Sequence, residues 1–148
     1  RTFFNHWSTK ESAIIGVLSA ADEEIAARLR HQVRETGPRE ALRTVMREAI
    51  SSAPFDPELR ELRKQVMAKE PKLHSLSSGN LLSVQTEMVE VLAEVLEGED
   101  AHERAMLSVQ IGFAVTRAAF STSMARGVDL GTAFDDVLAR YDEGDEVF

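Results

Sequence analysis

Few residues in this chain combine a reactive side chain with a useful spacing. Glu99-x-x-His102 has the spacing by which one helix offers a carboxylate and an imidazole to a metal ion. The motif occurs once and at a helix start, whereas carboxylate-bridged metal bundles need two such motifs and two further inward glutamates. His31 and His74 have no companion at ligand spacing, and Glu87, Glu90 and Glu94 repeat as a solvated helix stripe. No glycine-rich phosphate loop and no nucleophile elbow is present, and the serines have no paired histidine in a strand-turn-helix setting. The expectation is therefore no metal, no cofactor and no catalysis, with a small helical enzyme ranked last among the functional classes.

Binding chemistry has better candidates, all polar groups on otherwise apolar stripes. Gln85 falls on the stripe of Leu81, Met88 and Leu92, while Gln110 and Arg117 fall on the stripe of Met106, Phe113, Phe120 and Met124. Buried polar groups need partners. In one reading Gln85, Gln110 and Arg117 are the convergent polar anchors of a mostly apolar pocket, with Met46, Met67, Met88 and Phe113 supplying an adaptable wall. In the other the amides bond each other or the backbone, and Arg117 meets a carboxylate of a second subunit. Periodicity leaves both open.

The elements that must position these groups are helices. No run alternates with period two, and Gly and Pro sit where helices would begin or end. From Ser8 to about Glu35, Ile14, Leu18, Ala21, Ile25 and Leu29 recur at helical spacing. Gly37-Pro38 breaks that helix and opens another carrying Leu42, Val45, Met46, Ala49, Ile50 and Ala53. Asp56-Pro57 repeats the device for a shorter helix with Leu59, Leu62 and Val66, stopping before Pro71. Lys72 to Asn80, with its serines and Gly79, reads as a loop or a broken helix start. Leu81 to Glu97 reads as a helix ended by a left-handed cap at Gly98, with Leu81, Met88, Leu92 and Val95 on its apolar side.

Asp100 with Glu103 has the form of a capping box opening a helix to Arg126, closed by Gly127; Asp129 caps the last helix, whose face is Leu130, Phe134, Val137, Leu138 and Tyr141. The helix from Asp100 to Arg126 is apolar nearly all the way round and must be buried on more than one side. Ser108, Gln110, Thr116 and Arg117 interrupt it too often for a membrane span. One face carries Ala105, Gly112, Ala119 and Ser123, and another carries Met106, Phe113, Phe120 and Met124. Two faces of different size suggest two neighbours. The large face is expected to fill the protein's own core and the small one, through close backbone approach, to meet a second subunit. A single-chain bundle with a buried central helix is the alternative.

At the other end of the chain, Ser8 and Glu11 have the form of a capping box, so a helix is expected from about Thr9. The residues before it read as the last turn of an earlier helix, one that is expected to start upstream of Arg1. Thr2-Phe3-Phe4-x-His6-Trp7-x-x-Lys10-Glu11 closely resembles the junction between the recognition helix and the fourth helix of the TetR family of bacterial transcriptional regulators. The resemblance is specific though short. It implies that residues 1–7 end a helix-turn-helix domain and that residues 8–148 form a ligand-binding and dimerisation body. Carried over residue by residue, it places Thr2, Asn5 and His6 at phosphates and base edges and Lys10 at the backbone, with Arg1 a further contact. Phe4 stands where the family commonly has tyrosine, and Trp7 where it often has phenylalanine; losing the tyrosine phenol removes one phosphate hydrogen bond from the pattern. Phe3 and Trp7 read as a hydrophobic plug between helices. The resemblance further implies that the last two helices build a dimeric four-helix bundle, with Gly112, Ala119, Ser123, Phe134 and Leu138 at its interface.

Composition limits where any DNA contact can lie. With 148 residues and 43% hydrophobic content, the chain can bury one good core. Its net charge of −8 and pI near 5.0 repel a polyanion, so DNA binding would have to reside at the N-terminal edge and upstream of it. The absence of cysteine excludes disulfides and thiolate metal sites. The expectation is an all-α, TetR-like homodimer in the bacterial cytoplasm, with operator DNA and a small-molecule effector as partners and no membrane association. It would act as a repressor released by that effector. The alternative is a helical ligand-binding or protein-association module without DNA binding.

Overall fold

The computed structural model describes residues 18–51, 58, 62, 65–66 and 68–144, and among them all regular structure is helical. We number the helices α1 (Leu18–Thr36), α2 (Pro38–Ser51), α3 (Pro71–Ala93), α4 (Ala101–Arg126) and α5 (Leu130–Glu143). The described positions between α2 and α3 at 58, 62, 65–66 and 68–69 are also helical. Helix α1 packs against α2 and α3, α3 against α4, α4 against α5, and α2 against both α4 and α5. These contacts close a ring in the order α1, α3, α4, α5, α2, with α2 and α4 also touching across it.

Local chemistry sets the helix ends. Gly37 takes a φ of +81°, donates its N–H to the Val33 carbonyl at 3.1 Å and ends α1; Pro38, whose ring presets a helical φ, starts α2. Gly127 ends α4 in the left-handed region with its N–H on the Ser123 carbonyl. Asp129 caps α5 by accepting from Thr132 N–H at 2.9 Å. A hydrogen bond from the Thr132 hydroxyl, together with that from its N–H, holds the Asp129 carboxyl below the usual carboxylate range.

Three boundaries differ from expectation. Residues 72–80 are helical, because Pro71 starts α3 directly after the non-helical Glu70. Serine and glycine cost a helix only about 0.5–1 kcal/mol each, and packing of α3 on α1 and α4 outweighs that. Helix α3 ends at Ala93 rather than Glu97, and Gly98, at φ +107°, bends the connecting loop instead of capping the helix. At Asp100 no capping box forms: the backbone is not extended, the carboxylate bonds no helix N–H, and it lies 3.6 Å from Arg104.

The core is a single cluster in which every labelled helix takes part, including Leu29 and Val33 of α1, Leu42, Val45 and Met46 of α2, Met88 and Leu92 of α3, and Phe134 of α5. The contribution of α4 to it corrects the expected orientation. Ala105, Val109, Val115, Ala119 and Ser123 are its buried residues, whereas Met106 and Leu107 are 47% and 60% exposed. The small face meets the protein's own core; of the large face, Phe113 and Phe120 pack partly buried against that core, while Met106 and Met124 are exposed. The reason is geometric: α4 touches α2, α3 and α5 together, and helix axes approach within about 8–10 Å only over small side chains. Leu81 and Val95, assigned to the apolar side of α3, are likewise exposed; Val84, Val89 and Val91 take the buried positions.

Two glycines inside helices test this packing. A Cβ at Gly79 would meet open space, so Gly79→Ala should raise stability by about 0.5–1 kcal/mol. A Cβ at Gly112 would collide with the sulfur of Met46, so Gly112→Ala should gain nothing or destabilise. Urea unfolding of both variants checks the contrast.

Candidate functional site

The ring of helices leaves a cleft between α2, α4, α5 and the end of α3. Its volume is about 470 Å³, inside the range of about 300–1,000 Å³ typical of small-molecule sites. The walls are apolar: Leu42 and Met46 from α2, Leu92 and Leu96 from α3 and the turn after it, Ile111 and Val115 from α4, Phe134 and Leu138 from α5. Leu96, in the turn after α3, donates its N–H to the Leu92 carbonyl at 3.1 Å and lines the same space as Leu92. Gly112 also lines the cleft, and its missing side chain makes the room that Met46 occupies.

Polar groups in the lining are few and mostly cationic: Arg39, Arg43 and Arg104, with Ser108 and Tyr141. Arg39 and Arg43, four residues apart on α2, both donate to Asp142 Oδ1 on α5, Arg39 at 3.0 Å. One turn further along, Arg47 makes a fork to Asp135 at 2.7–2.9 Å. These pairs hold α5 over the cleft in a defined register. The hydrogen bond from Arg43, and secondarily that from Arg39, holds the Asp142 carboxyl below the usual carboxylate range. Arg104 is satisfied locally, donating to the Glu97 carbonyl at 3.0 Å.

Of the residues expected to bind an effector, the cleft brings in Met46 alone. Met88 is buried in the core without reaching the cleft, and Met67 lies outside the described residues. Gln110 donates to Gln85 at 3.3 Å on the outer side of α3 and α4, the amide-to-amide alternative left open by periodicity. Arg117 is exposed and Phe113 partly buried, and neither lines the cleft.

The residues assigned to a dimer interface are corrected in the opposite direction. Ala119, Ser123 and Phe134 are 0%, 1% and 2% exposed in a single chain, which leaves no surface for a second copy. Gly112, Phe134 and Leu138 line the cleft instead. Ser123 acts locally, its hydroxyl donating to the Val128 carbonyl at 2.6 Å and fastening the turn between α4 and α5. Arg1, Thr2, Asn5, His6 and Lys10 lie outside the described residues.

Sequence reading missed Arg39, Arg43, Arg104, Ser108 and Tyr141. A signal was present: Arg39, Arg43 and Arg47 form a basic stripe on one helix, and Asp135 and Asp142, two turns apart on another, form its acidic counterpart. Among the described residues no three metal-ligating side chains converge, and no helix is long and apolar enough to cross a membrane. Comparison with known protein families, curated proteins and solved structures finds no match for this chain.

The Asp142 pairs generate a pH dependence. Folding lowers this carboxyl's pKa, so its contribution is complete above the unfolded carboxylate value and is lost as pH falls through the lower folded value. Asp142→Asn should therefore flatten the stability curve below about pH 4. At neutral pH the same variant should cost at most about 1 kcal/mol, as for exposed ion pairs. Urea denaturation at a series of pH values measures both, and an unchanged acid limb would count against the pairing.

Proposed function

We propose that this chain is the ligand-sensing body of a DNA-binding transcriptional regulator of TetR type, acting as a repressor released by a small molecule. The observation that carries this reading is that the junction-like residues 2–11 precede a body whose regular structure, among the described residues, is all helical and borders an apolar cleft. The acidic body offers DNA no favourable field, so DNA contact would run through Arg1, Thr2, Asn5, His6 and Lys10. A ligand in the cleft would act by linkage, favouring one spacing of the two heads, with a coupling of about 1–3 kcal/mol.

The reading includes a homodimer, and the exposed face of α4 supports it. Met106, Phe113, Phe120 and Met124 form one stripe of this helix, with the methionines largely exposed and the phenylalanines half-buried, and Leu107, exposed, lies about 100° round the helix from Met106. Covering such a stripe with the same stripe of a second copy is a self-complementary arrangement.

Two measurements test the proposal. Expressed with any coding sequence that precedes Arg1, the protein should enrich a two-fold symmetric site from a random DNA pool. His6→Ala and Lys10→Ala should weaken that binding and flatten its salt dependence; failure to select any sequence would overturn the regulator reading.

In sedimentation equilibrium, the Met106→Glu, Leu107→Glu double variant should raise the dimer dissociation constant by at least about tenfold, or 1.4 kcal/mol. Unchanged association would move the interface elsewhere.

A further inference from the structure

The cleft combines an apolar lining with a few polar groups, and the charged ones among them are all cationic. Its arginines are Arg39, Arg43 and Arg104, and no carboxylate lines it. A neutral ligand would leave that asymmetry unused, and a cationic one would be repelled by it. Among the three, Arg43 is the most sheltered, its side chain 23% exposed against 76% for Arg39 and 52% for Arg104. A shielded guanidinium beside an apolar wall is where a charge-assisted hydrogen bond has most effect. Arg104 is already engaged by the Glu97 carbonyl.

Asp142 supplies the second observation. Its carboxylate sits on Arg43 and Arg39 from outside the cleft lining, showing that these two guanidiniums accept a carboxylate between them. Tyr141 and Leu138, from the same helix, line the cleft beside them. A ligand carboxylate entering along the apolar wall would meet Arg43 in competition with Asp142.

We propose that the cleft binds an amphipathic carboxylic acid, its apolar body between α2, α4 and α5 and its carboxylate on Arg43 in place of Asp142. This rests on the sensor reading and deepens it by naming its ligand class. It also gives the ligand a mechanical consequence: the Arg43 bond between α2 and the end of α5 is exchanged for one to the ligand, which leaves the C-terminal turn of α5 held by the exposed Arg39 alone. The wall can adapt to the bound chain through Met46, which already fills the gap at Gly112.

Isothermal titration calorimetry on the 148-residue chain, with decanoate, 1-decanol and decyltrimethylammonium as probes up to about 1 mM, tests this. Decanoate should bind one per chain, and decanol about tenfold or more weaker, the worth of a charge-assisted hydrogen bond. The cationic probe should bind more weakly still. Arg43→Met should abolish the preference for decanoate. Asp142→Asn, which removes the competitor and keeps the arginine, should tighten decanoate and leave decanol unchanged. Leu138→Trp, which fills the cleft, should weaken both. Equal affinity for acid and alcohol, no decanoate binding, or decanoate binding unaffected by both Arg43→Met and Asp142→Asn would overturn the proposal. The titration involves no DNA, so its failure leaves the regulator reading standing, and failure to select DNA leaves the binding result standing.

Discussion

The packing of α4 by its small side chains is the constraint on which the rest of the molecule depends. Helix α4 touches α2, α3 and α5, and it can do so only by turning Ala105, Val109, Ala119 and Ser123 inward. Each of these side chains contributes little apolar area on its own. Their value lies in letting larger groups from neighbouring helices, Met46, Met88, Leu92 and Phe134, close over them. Truncating such a neighbour, Phe134 for example, removes a fully buried ring and falls in the class of changes costing about 3–5 kcal/mol. The same choice forces Met106, Leu107 and Met124 to the surface. An inward small face and the exposure of Met106, Leu107 and Met124 are thus two results of one orientation of the helix.

That orientation also creates the cleft. Where α4 presents Gly112 the neighbouring helix fills the gap with Met46, and the cleft opens beside this contact between α2, α4 and α5. Helix α5 covers the opening and is held there by ion pairs as well as by apolar contact. Exposed ion pairs add little stability, about 0–1 kcal/mol each. They are suited to a joint that must hold a register and yet exchange partners. Arg43 belongs to both the joint and the cleft lining, which couples the two.

The acidic character of the chain acquires a local meaning here. A net charge of −8 describes the whole sequence, but the cleft is lined by three arginines and no carboxylate. Asp142 and Asp100 pair with these arginines from outside the lining, so the side chains that face the cleft are cationic within an acidic chain. Overall charge bears on long-range encounter with polyanions, whereas a partly sheltered guanidinium acts over a few ångströms on whatever enters beside it.

Helical class and the breaks at Gly37-Pro38, Gly127 and Asp129 could all be read from the chain, because each break rests on the backbone chemistry of one or two neighbouring residues. The boundaries that reading missed, residues 72–80 and 94–97, lie at the two ends of α3, where serine and glycine propensity and a following glycine did not set the helix limits. Which face of α4 points inward was not legible, since a helix apolar on every side has no polar face to orient it; only the number and nearness of its neighbours decided that. For the same reason Gly112, Phe134 and Leu138 were assigned to a subunit interface and belong to the cleft, while Gln85 and Gln110 were assigned to a pocket and pair on the outside. The arginine and aspartate stripes stood in the sequence throughout. Their pairing required knowing that α2 and α5, about ninety to a hundred residues apart along the chain, lie side by side, and loop closure over such distances is a property of tertiary packing that local patterns do not encode.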